Sequence, residues 1–108
     1  MKKILLLSDT HGYIDGHILK YVNESDEVWH AGDIGSIEVT DTISNSKPLR
    51  AVHGNIDGME IRVSFPKDLV FTCEGVRVFM THIGGRPGRY AKGISQQLKS
   101  VQPKIFIC

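Results

Sequence analysis

The run Ile4–Leu7 is apolar at four consecutive positions and stops against Asp9, Thr10, His11 and Gly12. A strand with one wet face alternates apolar and polar residues, whereas a continuous run is expected of a strand covered on both faces, as in a parallel sheet flanked by helices. Ile14, Ile18, Tyr21 and Val22 follow at helical spacing, so residues 13–23 are predicted to form a helix lying on that sheet. Strand, loop and helix make the first half of a βαβ unit.

The pattern recurs along the chain. Glu27–Ala31 reads as a second strand ending in Gly32 and Asp33, and Ile34–Ile43 as a weaker helix. Leu49–Val52 reads as a third strand, ending in His53, Gly54 and Asn55. Leu69–Cys73 and Val76–Thr81 are separated by Glu74-Gly75, the two-residue link of a tight hairpin, and His82 ends the second of them. Tyr90, Ile94, Leu98 and Val101 mark a helical face that Pro103 closes, and Ile105–Cys108 is a sixth apolar strand. The expectation is one α/β domain over residues 1–108 with about six strands and three helices, without internal repeats or low-complexity linkers.

Charge and composition narrow the function classes. A net charge of +1 with scattered Lys and Arg leaves no basic stripe for nucleic acid or an anionic membrane. The first apolar run is too short for a signal peptide or a membrane span, so a cytoplasmic protein is expected. Cys73 and Cys108 form no CxxC pair and no disulfide framework, and are read as buried reduced thiols. The first loop also lacks GxGxxG and GxxxxGK[ST], which removes the dinucleotide and P-loop readings of a strand–loop–helix start.

What remains is at the strand ends. Asp9 with His11, Asp33, Asn55 and His82 each follow a strand, and in open α/β sheets the carboxyl ends of strands face one crevice. Taken singly, each has an ordinary role: a turn or helix cap for Asp9 and Asp33, a turn for Gly54-Asn55, a satisfied strand-end histidine for His82. Taken together they are a metal site. Carboxylate, imidazole and amide oxygen suit Mn, Fe, Zn and similar divalent ions, and two such ions lower the pKa of water and clamp an in-line phosphoryl displacement. Asp9 and His11, at i and i+2 of extended backbone, are expected to point to the same side. Glycines beside them, Gly12, Gly32, Gly54 and Gly84, let the backbone approach closely. Around this set, His30 is expected in the core or supporting a ligand and His17 in solvent. His53 is a candidate for the site wall, and Arg86 and Arg89 are candidates for holding a substrate phosphate.

The segments SDTHG, HAGD, VHGNID and MTHIGG, in that order, resemble the calcineurin-like metallophosphoesterase superfamily, and within it the small YfcE-type phosphodiesterases. The resemblance implies a β-sandwich flanked by helices with a dinuclear metal centre, manganese first among candidate ions and zinc, iron, nickel or magnesium also compatible. It implies Asp9 and His11 on one ion, Asp33 bridging, and Asn55 and His82 on the other. Asp33 and Asn55 would serve catalysis, and a small phosphodiester would be hydrolysed by activated hydroxide. Many members carry a histidine general acid after the Gly-Asn pair, where this chain has Ile56 and then Asp57, a candidate for fixing the loop. The family continues with a Gly-His-x-His motif where this chain stops at Cys108. The expectation is therefore a truncated domain, weakly active or inactive, with exposed sheet that favours self-association. A non-catalytic scaffold of the kind found in the retromer complex is the alternative on the same fold.

Overall fold

The computed structural model describes residues 2–82, 85–86, 89–90 and 94–107, with the backbone alone at 85, 86, 89, 90, 95 and 97. Three parallel strands form the first sheet: β1 (Ile4–Leu7), β2 (Glu27–His30) and β3 (Leu49–Ala51), in spatial order β1-β2-β3. Leu7 lies opposite His30, and His30 opposite Ala51, so all three strands end at one level. Asp9, Asp33 and Asn55 leave the sheet from that shared edge.

The connections are helices α1 (Gly16–Glu24) and α2 (Ile37–Ser44), with α3 (Met59–Ser64) after β3. Their starts are later than the apolar spacing predicts, and the caps explain why. The Asp15 carboxylate accepts the Ile18 N–H at 2.9 Å and opens α1, so residues 13–15 stay outside it. Ser36 rather than Asp33 caps α2, by accepting the Glu38 N–H at 3.2 Å, which leaves Asp33 free of helix duty. Helix α3 was not anticipated: at six residues, with Ile61 its one buried side chain, it is too short to show a period.

The second sheet has order β4-β5-β8, built from β4 (Asp68–Cys73), β5 (Val76–Thr81) and β8 (Ile105–Ile107). Strands β4 and β5 form the expected hairpin, with Glu74 at φ 53° and Gly75 at φ 77°, the left-handed pair that a two-residue link of matching twist requires. Strand β8 runs parallel to β5 after α4 (Ile94–Val101). Two further strands of two residues each, β6 (Gly85–Arg86) and β7 (Arg89–Tyr90), pair antiparallel between β5 and α4 in the chain. Among the described residues, six longer strands match the expected number, and four helices replace the expected three.

Two apolar layers hold this together. Val28, on one face of β2, packs with Val22, Ile34, Val39, Ile43, Ala51 and Ile61 beneath α1, α2 and α3. Trp29, on the other face, joins Ala31 and Val52 to Phe71, Val78 and Met80 of the second sheet. The Trp29 and Phe71 rings meet edge to face, centroids 4.8 Å apart, and this contact closes the sandwich. Away from the strand ends, buried Glu27 is satisfied by Trp29 Nε1 at 2.9 Å, Arg50 Nε at 2.6 Å and Lys2 Nζ at 3.1 Å. Burial pushes the Glu27 carboxyl up, but the bonds from Trp29, Arg50 and Lys2 outweigh it and hold it below the usual range. Cys73 is half-buried and unpaired, and Cys108 lies outside the described residues. Among the described residues no helix is long and apolar enough to cross a membrane.

Because Trp29 joins both sheets, Trp29→Ala is expected to destabilise the fold by about 3–5 kcal/mol. Urea unfolding followed by far-UV circular dichroism checks this; a loss below about 1 kcal/mol would show that the sheets are not held through this residue.

Candidate metal centre

The strand ends meet as the α/β reading requires. One ligand-type atom each from Asp9, Asp33 and His82 lie within 4.8 Å of one another, although the residues span most of the chain. His82 Nε2 stands 3.1 Å from Asp33 Oδ2. Its other ring nitrogen, Nδ1, donates to the Ala31 carbonyl at 2.8 Å, because a carbonyl can only accept. In the neutral imidazole that bond leaves Nε2 with a lone pair aimed at a carboxylate oxygen. This is how metal-ligating histidines are oriented by a second partner.

Asn55 completes the group. The inward atom of its amide lies 3.0 and 3.3 Å from the two Asp33 oxygens and 3.3 Å from His82 Nε2. With nitrogen there the amide donates to Asp33 and His82; turned about, its oxygen offers a neutral electron-pair donor to the same point. The donor set of two carboxylates, one imidazole and one amide therefore fits a hard or borderline divalent ion.

Backbone strain gathers at the same place. Asp9 (φ 57°), His11 (φ 52°) and Asp33 (φ 55°) are all left-handed, a conformation uncommon for non-glycine residues and found at turns and at functional sites. This corrects the expectation that Asp9 and His11 share a side through extended backbone. They come together through a turn, in which Asp9 N–H bonds Gly32 O at 2.9 Å and His11 N–H bonds Asp33 O at 3.1 Å. His11 Nε2 ends 3.7 Å from Asp9 Oδ1, with both side chains more than half exposed, so His11 flanks the compact group rather than entering it. The Ser8 hydroxyl donates to Asp9 Oδ2 at 2.6 Å and is the chief reason its carboxyl stays below the usual range.

Asp57 fixes the loops. Its buried carboxylate accepts the N–H groups of Ile34 (3.1 Å), Gly35 (2.8 Å) and Gly54 (2.8 Å), tying the loop after β2 to the loop after β3. Burial raises its pKa, and these three bonds more than offset the rise, leaving the carboxyl ionised and low. Gly54 is needed beside it, since a Cβ there would collide with the Asp33 carboxylate and backbone.

His30 was expected in the core or in support, and it is fully buried. Its Nδ1 accepts the Gly32 N–H at 3.1 Å, so Nε2 carries the proton and donates to Thr10 Oγ1 at 3.0 Å. Thr10 in turn donates to Ile34 O at 2.9 Å. His30 therefore braces both ligand loops as a neutral ring, and burial lowers its pKa to about 4. Thr10 was missed in the sequence because a threonine between two candidate ligands carries no signal of its own.

Next to the group lies an open cleft of about 250 Å³ lined by His53, Gly54, Asn55, Arg62, Lys67, Thr81 and His82. His53 thus faces the site's surroundings, with Nδ1 donating to Phe65 O at 3.0 Å. Arg62 of α3 donates to Asp57 O (2.6 Å), Gly54 O (3.4 Å) and Asn55 O (3.3 Å), a clamp on the ligand loop that the unanticipated helix delivers. His17 is exposed on α1 against Tyr21. The side chains of Arg86 and Arg89, and Gly84, lie outside the described residues.

A two-sheet α/β fold that gathers carboxylates, an imidazole and an amide at its strand ends has the donor set of a divalent-ion site. The sequence profile of the calcineurin-like phosphoesterase superfamily domain matches residues 1–108, and the chain belongs to that superfamily. Among solved structures, it is similar to a Thermotoga maritima protein determined by solution NMR, at 27% identity and TM-score 0.75, covering 99% of this chain and 72% of that one. A Streptococcus pneumoniae protein described as a predicted phosphoesterase matches at 22% identity and TM-score 0.68, covering 97% of this chain and 59% of that one. Vps29 from Entamoeba histolytica, complexed with Zn²⁺, matches at 16% identity and TM-score 0.70, covering 95% and 61%. This chain therefore spans about three fifths of the length of the last two. No curated protein sequence matches it.

Two outcomes follow from the braces. The folded-state value of His30 lies below the 6.5 of a free imidazole, so the unfolded chain binds more protons between about pH 6.5 and 4. Stability is full above that window and falls as pH drops through it, by up to about 3 kcal/mol; urea titrations at stepped pH should show the slope in wild type and lose it in His30→Gln. Separately, Gly54→Ala should displace the Asp33 carboxylate and weaken Mn²⁺ binding at least tenfold by calorimetry. Unchanged affinity would mean that Asp33 does not hold the ion.

Proposed function

We propose that the chain carries the metal centre of a phosphoesterase that hydrolyses a phosphodiester, with phosphomonoesters less well matched. The observation that supports this best is the convergence of Asp9, Asp33, Asn55 and His82, with the His82 tautomer set by Ala31 and its free nitrogen 3.1 Å from Asp33. Asp9, Asp33, Asn55 and His82 would hold the ions, with His11 at the solvent side and Asp33 shared between two. Bound divalent ions would polarise the phosphoryl group and acidify water at neutral pH. Manganese is the ion we expect in use.

The chain's own residues do the rest. Asp57 and Arg62 hold the Asn55 loop, His30 and Thr10 hold the Asp9 and Asp33 loops, and a rigid ligand set keeps the reacting groups aligned. Ile56, half exposed beside Asn55, has no proton to give. Esters whose leaving group departs unprotonated are therefore favoured. A second reading, a protein-interaction scaffold on the same fold, draws support from the exposed Ile56, Met59 and Val63, which sit three and four residues apart along α3 and its entry.

The test is Mn²⁺-dependent hydrolysis of bis(p-nitrophenyl) phosphate by this chain. Activity at least a hundredfold lower in Asp33→Asn is the expected result. Full activity in Asp33→Asn, or a wild type that stays inactive at saturating Mn²⁺ even when extended by a Gly-His-x-His segment, would sink the hydrolase reading and leave the scaffold.

A further inference from the structure

The cleft beside the metal ligands has a wall whose chemistry the ligand set does not use. Of the described residues lining it, Arg62 and Lys67 are cationic and none is acidic. Neither forms an ion pair among the described residues, where the salt bridges join Lys2 and Arg50 to Glu27, His11 to Asp9 and His82 to Asp33. Arg62 spends its Nε and one terminal nitrogen on neutral carbonyls, so its charge is uncompensated. The Lys67 side chain makes no hydrogen bond among the described residues.

The wall is built and not a loose surface. His53 N–H donates to Pro66 O at 2.9 Å and His53 Nδ1 donates to Phe65 O at 3.0 Å, so the segment that carries Lys67 is docked on the residue two before Asn55. Thr81, on the facing side, turns its hydroxyl to Asp68 at 2.8 Å, which leaves that neighbouring carboxylate engaged. Arg62, held on three carbonyls, and exposed Lys67 line a cleft of about 250 Å³ with no carboxylate among its described lining residues, a wall suited to an anion.

We propose that this cleft receives a second, non-reacting anionic group of the substrate, which makes the substrate class a phosphodiester bearing a phosphate-like anion on one ester arm. The proposal deepens the hydrolase reading and rests on it for the word substrate, but the anion site itself needs no metal. Lys67 and Arg62 are here specificity residues: they select the arm, and the ligands at the strand ends act on the ester.

The experiment uses the full chain freed of metal with EDTA and inorganic phosphate as probe, titrated by calorimetry at low ionic strength. Wild type should bind phosphate, Lys67→Ala should weaken it about tenfold, the effect of one charged hydrogen bond, and Lys67→Arg should restore it. Lys67 is exposed and unbonded, so these variants fold. Equal affinity in wild type and Lys67→Ala, or no binding in wild type, overturns the proposal. Binding that depends on Lys67, together with no Mn²⁺-dependent hydrolysis even after extension by a Gly-His-x-His segment, would support the anion site while removing the hydrolase reading.

Discussion

The Asp57 carboxylate is the constraint on which the site's geometry depends. One buried charge accepts three backbone N–H groups from two loops, at Ile34 and Gly35 and at Gly54, and so sets the distance between Asp33 and Asn55. A buried carboxylate without those donors would be costly to keep ionised, and donors without the carboxylate would be stranded in a loop with no ladder to satisfy them. Charge and donors are therefore stable only together. The same arrangement leaves no room for a side chain at Gly54, which lies against Asp33.

A second brace works without charge. His30 is on the central strand, where burial disfavours protonation, and a neutral imidazole has one donor and one acceptor. Gly32 N–H takes the acceptor and Thr10 the donor, so the ring spans the Asp9 loop and the Asp33 loop. The left-handed conformations of Asp9, His11 and Asp33 are held by this frame and by the bonds that Asp9 and His11 make to Gly32 and Asp33. Strain at three candidate ligands and satisfaction at the buried groups behind them are two sides of one design, in which a rigid second layer keeps the ligands converged before any ion arrives.

Much of the fold was legible because its signals are local. The continuous run Ile4–Leu7, the spacing of Ile14, Ile18 and Val22, and Glu74-Gly75 between two apolar strands each state their secondary structure within a dozen residues, but β1 is an edge strand with Leu6 half exposed, not the strand covered on both faces that its apolar run predicts. Helix α3 was not legible, since six residues with one buried side chain make no period, and with it Arg62 went unseen. Lys67 and Thr10 were equally silent: their positions matter only because another part of the chain lies opposite. For Asp9 and His11 the proximity was readable but its cause was not, because left-handed backbone at a non-glycine residue follows from the hydrogen bonds to Gly32 and Asp33 across the sheet edge.

The sequence by itself determined the strand-end pattern, the α/β class and the residue types that suit a divalent ion, because apolar periodicity and donor chemistry are properties of short segments. Only the tertiary structure decided which of those residues converge, that Asp9, Asp33, Asn55 and His82 form the compact group while His11 flanks it, and that a cationic wall stands beside them. The physical reason is register: parallel pairing of β1, β2 and β3 and the docking of β5 through Trp29 and Phe71 bring distant strand ends to one edge, and no local rule states where that edge will be.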